Sequence, residues 1–84
     1  MNPPDVNGDI YPDIELDARN LLCPMPVIRL QNKIKTLTKG SLIRVLCTDP
    51  GTLHDIPTWC RMYGHHVLDT HETEEEIQFL IKVT

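Results

Sequence analysis

The chain has 84 residues, a net charge of −4 and a pI near 5.4. A domain of this size buries about 60–65% of the surface of its unfolded chain, which disfavours a large substrate pocket and favours chemistry at the surface. The acidic balance repels phosphate backbones, and no apolar run approaches the roughly 18 residues that span a bilayer. We therefore expect neither direct nucleic-acid binding nor a membrane span.

Segment 1–12 contains three prolines and one glycine but few apolar residues, which predicts a loosely attached N-terminal arm. A single domain is then expected over 13–84. Alternating apolar residues predict a first strand over 13–18. From Pro24 onward, apolar residues recur at three- and four-residue steps, which predicts an amphipathic helix that continues to Gly40.

A second strand is predicted over 41–47, where apolar residues alternate again. The Thr-Asp-Pro sequence at 48–50 is typical of an N-cap followed by proline at the first helical position, so a second helix should start there and end at Gly64. Pro57 lies inside this helix. It should kink the helix, unless Asp55 caps a new start.

Two final strands are predicted over 65–72 and 76–83, which gives the order βαβαββ. Right-handed crossovers place both helices on the same side of the sheet. The predicted fold is therefore a two-layer α/β sandwich with a four-stranded mixed sheet and two helices on one face. The first two strands should run parallel, so the turn at Cys23 and the turn at Asp49 are expected to share one edge of the sheet.

The sequence Cys23-Pro24-Met25-Pro26 is the most informative stretch for chemistry. Two prolines so close together are tolerated only in the first turn of a helix, where the amides have no intrahelical partner. We therefore expect Cys23 at the N-cap, Pro24 as the first helical residue and Pro26 as the third. The positive end of the helix dipole should favour the thiolate and lower the pKa of Cys23.

A reactive thiolate serves either redox exchange or acceptance of a transferred group. Redox motifs usually place a second cysteine two residues away, and none follows Cys23. Nothing in the sequence places a histidine base beside it either. A lone activated cysteine suits a carrier that accepts and passes on a sulfur atom by exchange. The local pattern equally allows Cys23 to be a structural capping residue.

The segments 16–27, 48–52 and 55–60 resemble the TusA/SirA-like sulfur-carrier family, which is built around a Cys-Pro-x-Pro motif. The resemblance extends over nearly everything from Asp13 onward. It implies a persulfide carrier that takes sulfur from a cysteine desulfurase and delivers it to a downstream relay protein. In some members the relay ends in 2-thiolation of the wobble uridine of tRNA, and others serve further sulfur-trafficking and sulfur-oxidation routes. Cys23 matches the persulfide-bearing cysteine, and Asp49 matches an acidic position in the neighbouring turn.

Two positions depart from the family pattern. Asn20 stands where the family often has glycine, and asparagine also tolerates left-handed backbone geometry. Met25 occupies the variable position of the motif, where an acid stands in TusA-type members. The predicted site is thus Cys23, surrounded by Pro24, Met25, Pro26 and Asp49.

The remaining cysteines and histidines indicate neither a metal site nor a cofactor. Cys47 alternates with core residues of a strand, and Cys60 lies on the apolar stripe of the second helix, so both are expected to be buried. The spacings of the four histidines and these cysteines match no standard cluster, so no metal and no cofactor is expected. An odd number of cysteines without a visible signal peptide fits a reducing cytoplasm.

The sequence thus predicts a monomeric, cytoplasmic sulfurtransferase that works with a sulfur donor protein and a relay protein. Two alternatives remain. One is a non-catalytic binding or regulatory module of the same fold. The other is a thiol redox protein that uses Cys23 with Cys60.

Overall fold

Four strands and two helices follow one another in the order βαβαββ in a computed structural model that describes residues 12–84. The predicted order is confirmed, and the predicted arm, 1–12, lies outside the described residues apart from Pro12. The elements are β1 Ile14–Ala18, α1 Met25–Ile34, β2 Leu42–Cys47, α2 Thr52–Tyr63, β3 His66–Glu72 and β4 Ile77–Lys82.

The sheet is mixed, with the strand order β1-β2-β4-β3. β1 and β2 run parallel and finish level with each other, Ala18 opposite Cys47. β4 runs antiparallel to β2, and Ile77, its first residue, also pairs with Cys47. One edge of the sheet therefore carries the turn after β1, the turn after β2 and the turn before β4.

A single apolar core lies between the sheet and the two helices. It contains residues of both helices and of one face of the sheet, so both helices cover the same face, as predicted. Its members include Leu30, Ile34, Ile43, Val45, Cys47, Ile56, Cys60, Phe79 and Ile81. Cys47 and Cys60 are buried here, in agreement with the sequence pattern. None of the helices within residues 12–84 has the length and apolar character needed to cross a membrane.

α1 is shorter than predicted, because it ends at Ile34 rather than continuing to Gly40. The chain goes on in tighter turns, in which the amide of Leu37 donates to the carbonyl of Ile34. These turns keep Leu37 packed against the core, so the helical spacing of apolar residues outlasts the helix itself. Gly40 has a φ of +92° and leads into β2, and its amide donates to the carbonyl of Val83.

α2 also differs from the prediction at its start and at its proline. The N-cap residue is Gly51, so the helix begins later than the predicted start at 48–50, which had Pro50 as the first helical residue. Pro57 lies inside a continuous helix, so the alternative of a new start capped by Asp55 is wrong. The predicted end is confirmed, because Gly64 adopts a φ of +83° that a side chain disfavours.

Candidate functional site

Cys23 lies in the turn between β1 and α1, half-buried, at the edge of the sheet where β2 also ends. Two hydrogen bonds join this turn to the one after β2. The Cys23 amide donates to Oδ2 of Asp49 at 2.9 Å, and the Asn20 amide donates to Oγ1 of Thr48 at 2.8 Å. Asn20 has a φ of +65°, in the left-handed region that asparagine tolerates. The structure therefore brings Cys23 and Asp49 together.

Cys23 is not the N-cap of α1. That position belongs to Pro24, Met25 is the first helical residue, and Pro26 is the second. The amide of Met25 already donates to the carbonyl of Leu22 at 2.8 Å. The predicted placement was one residue out of register, so the thiol lies one residue farther from the helix end than the dipole argument assumed.

Asp49 holds the start of both helices in place. Its Oδ2 accepts from Cys23 and its Oδ1 accepts from the amide of Gly51, while its carbonyl accepts from the amide and the hydroxyl of Thr52. The hydrogen bonds from Cys23, followed by the one from Gly51, lower the pKa of Asp49. A carboxylate that stays ionised therefore lies beside the sulfur.

Gly51 leaves the space that the sulfur occupies. A β-carbon at this position would lie 3.0 Å from Sγ of Cys23 and 3.5 Å from Oδ2 of Asp49. The backbone of Gly51 has a φ of −59°, which any residue adopts, so conformational freedom does not explain the glycine here. The close approach of the sulfur does explain it.

Asp55 is a further member of the site, beyond the predicted set of Cys23, Pro24, Met25, Pro26 and Asp49. A hydrogen bond with the Asp55 carboxylate, burial and the neighbouring Asp49 together raise the pKa of Cys23 to about 12. The expectation of a lowered pKa is therefore wrong, because the carboxylates outweigh the helix end. The sequence did hold a signal, since Asp55 follows Gly51 by four residues, which is about one helical turn.

An apolar groove of about 250 Å³ lies between the two helices, next to the cysteine turn. Leu22 and Met25, which flank Cys23 and Pro24, are also exposed, by 75% and 46%. The groove residues are Pro24, Val27, His54, Asp55, Thr58, Trp59 and Met62. The thiol is therefore bordered by apolar surface on the helix side.

Acidic residues border the same edge on the sheet side. The turn between β3 and β4 contains three consecutive glutamates, and it lies against Thr48 and Pro50. Arg19 is not available to the cysteine, since it pairs with Asp17 at 2.9 Å and with Glu76 at 3.4 Å. In the part of the chain that the structure describes, no group of three or more histidine, cysteine or carboxylate side chains is placed to hold a metal ion.

Comparisons with known proteins give a consistent picture. The family described as "Sulfurtransferase TusA" matches residues 14–83. The chain is 44% identical over 64 residues to a protein named sulfur carrier protein TusA from Pseudomonas putida (strain GB-1), covering 76% of this chain and 80% of that protein. It is 45% identical over 60 residues to the protein of the same name from Pseudomonas aeruginosa (strain LESB58), covering 71% and 76%.

The fold has a solved counterpart. A SirA-like protein from Desulfitobacterium hafniense superposes with a TM-score of 0.72 at 22% sequence identity, covering 82% of this chain and 95% of that one. The predicted two-layer arrangement with the order βαβαββ is therefore confirmed.

Proposed function

This chain belongs to the TusA family of sulfur carriers, and from that membership we propose that it carries sulfur as a persulfide on Cys23. The observation that supports this most directly is the sulfur's position. Sγ lies half-buried where two helix starts meet, over a glycine whose missing side chain leaves it room. Neither the half-buried thiol nor the groove beside it requires a cofactor for this role.

The proposed loading step is a thiol–persulfide exchange. Sγ of Cys23 attacks the terminal sulfur of a donor persulfide, so that a new S–S bond forms and the donor's S–S bond breaks. The Sγ atom of the donor cysteine leaves with the bonding electron pair, and it takes up the proton that Cys23 gives up. In the second step an acceptor cysteine attacks the terminal sulfur on Cys23, so that a new S–S bond forms on the acceptor and the S–S bond on Cys23 breaks. Sγ of Cys23 leaves with the bonding electron pair and takes up the proton that the acceptor cysteine gives up. Neither step needs an outside oxidant, because the sulfane sulfur moves from one cysteine to another without a net change of oxidation state.

The proposed partners are proteins. A cysteine desulfurase supplies the sulfur, and a relay protein receives it, in a pathway that leads to 2-thiolation of tRNA wobble uridine in the cytoplasm. Exposed Leu22 and Met25 beside the cysteine give a partner protein apolar contacts. Asp49 holds the cysteine turn through the amide of Cys23, and Pro24 and Pro26 fix the direction in which the chain leaves it. The carrier acts as a monomer in this proposal.

The intact mass of the protein tests this proposal after incubation with a cysteine desulfurase and cysteine. We expect a gain of one sulfur atom that a reductant removes, with Cys60→Ala loaded and Cys23→Ser unloaded. Loss of two protons would instead support the redox alternative, and an unchanged mass would support the non-catalytic module. If Cys23→Ser is loaded and Cys60→Ala is not, the sulfur is carried by Cys60 and the assignment of Cys23 is wrong.

A titration with uncharged tRNA tests the choice of a protein acceptor. The acidic edge beside Cys23 disfavours a phosphate backbone, so we expect no saturable binding at physiological salt. Tight binding that shields Cys23 from alkylation would make the tRNA the direct recipient of the sulfur.

A further inference from the structure

The groove between α1 and α2 opens beside Cys23, and its shape and surroundings indicate what enters it. We propose that the groove docks a partner's peptide segment in which an apolar side chain stands next to lysine or arginine, and that this cation frees the Cys23 sulfur from Asp55 and Asp49. The inference rests on the proposed carrier function and adds to it the chemistry of the partner segment.

The apolar half of the proposal follows from the lining of the groove. Val27 and Trp59 are half-buried and pack against the core, while Met62 is 71% exposed. Trp59 also packs against Tyr63 and His65, with ring centroids 5.2 and 5.4 Å away. A rigid aromatic ring beside a flexible methionine suits an inserted apolar side chain.

The cationic half follows from the charges around the sulfur. Asp49 approaches from the turn after β2, and Asp55 and His54 belong to α2. From α1, the groove is lined only by Val27, and Pro24 precedes that helix. The acidic turn before β4 extends the negative charge on the far side of Pro50. A lysine or arginine gains from this field, whereas an acidic peptide or an RNA backbone loses.

Docking and reactivity are coupled because the same carboxylates perform both tasks. In the free protein, Asp55 and Asp49 hold the proton on the Cys23 thiol. A cation that binds between them takes over that proton's electrostatic role, so the proton can leave and the thiolate forms. The sulfur therefore reacts slowly with a small thiol-reactive molecule in the free protein and faster when a matching partner is bound.

A cation built into the groove tests the coupling without any partner. Thr58 lines the groove three residues after Asp55, a helical spacing at which a lysine side chain reaches the carboxylate. We expect Thr58→Lys to raise the rate of Cys23 alkylation at neutral pH about tenfold, which corresponds to one pKa unit. Thr58→Gln, of similar bulk without charge, should keep the original rate. Equal rates in the two folded variants would overturn the coupling.

Three synthetic hexapeptides test the docking itself, with fluorescence of Trp59, the chain's one tryptophan, as the readout. A peptide of alternating leucine and arginine should shift the emission saturably and accelerate Cys23 alkylation. Peptides of leucine with glutamate, and of serine with arginine, should do neither. Equal binding of the first control would overturn the cation requirement, and equal binding of the second would overturn the apolar one. Neither readout involves sulfur transfer, so failure here is distinct from failure of Cys23 to load.

Discussion

The pKa of Cys23 and the pKa of Cys60 both lie above the ordinary thiol value, but for different physical reasons. Burial in the apolar core raises the pKa of Cys60 to about 11, and it raises that of Cys47 likewise. Cys23 is half-buried at the surface, and the Asp55 carboxylate is the first cause of its raised pKa, ahead of burial and Asp49. The effect of burial on the pKa is removed only when the core opens, whereas the effect of a neighbouring carboxylate is removed by one positive charge placed beside it.

The comparison shows why a surface thiol with a high pKa suits a carrier. A core thiol is inert under all conditions in which the protein stays folded. A surface thiol held by carboxylates is inert only until its electrical surroundings change. The two thiols therefore differ less in how far the pKa is raised than in whether it can be lowered again while the protein stays folded.

The largest expected effect is the difference in labelling between the two kinds of thiol. Iodoacetamide reaches Cys60 only when the core opens, and an opening cost of about 7 kcal/mol slows its labelling by about 10⁵-fold. The opened thiol has its ordinary pKa of 9.0, about three units below the value of about 12 for Cys23, so the higher pKa of Cys23 cancels about a thousandfold of that difference. We therefore expect brief iodoacetamide treatment at neutral pH, followed by peptide mapping, to label Cys23 about a hundredfold faster. Preferential labelling of Cys47 or Cys60 would contradict this ranking.

The next effect separates the two carboxylates. Asp55→Asn should lower the pKa of Cys23 and raise its alkylation rate at neutral pH by about tenfold, because Asp55 is the leading cause of the shift. Asp49→Asn should raise the rate less, since the asparagine oxygen still accepts from the Cys23 amide. Glu74→Gln is a matched control that removes an exposed charge from the turn before β4. A larger increase for Asp49→Asn than for Asp55→Asn would reverse the order of causes.

Periodicity and turn chemistry sufficed to predict the fold and the meeting of Cys23 with Asp49. Parallel neighbours β1 and β2 must end at one edge, so the turns that follow them had to meet. The same reasoning failed at the end of α1 and at the start of each helix. Leu37 keeps its spacing on the core after α1 has ended, because tight turns also return a side chain to the same side.

The sign of the Cys23 pKa shift could not be read from local sequence. A helix start favours a thiolate, and two carboxylates disfavour it, so the outcome depends on distances within a few ångströms. Those distances follow from the register of α2. Its N-cap is Gly51, so Asp55 lies in its first turn, where the carboxylate forms a hydrogen bond with the Cys23 thiol.

A smaller effect concerns stability. Cys60→Ala removes a buried sulfur that is 1% exposed, so it should leave a small cavity and lower the free energy of unfolding by about 1–2 kcal/mol. Cys23→Ser changes a half-buried atom at the surface and should lower it by less than about 0.5 kcal/mol. Urea denaturation of both variants measures the difference, and equal losses would mean that Cys23 also belongs to the core.

The smallest expected effect is the dependence of stability on alkaline pH. The folded pKa of Cys60, about 11, lies above its ordinary value of 9.0, so folding favours the protonated form. The stability from this group is complete below pH 9 and is lost as the pH rises through 11, with about 1 kcal/mol gone at pH 10. Between pH 8 and pH 10, the free energy of unfolding measured in urea should fall by about 1 kcal/mol less in Cys60→Ala than in the wild type. Cys23→Ser should flatten the dependence less, because solvent screens the charges around a half-exposed thiol. Identical falls in wild type and Cys60→Ala would mean that burial does not set the proton affinity of the core thiol.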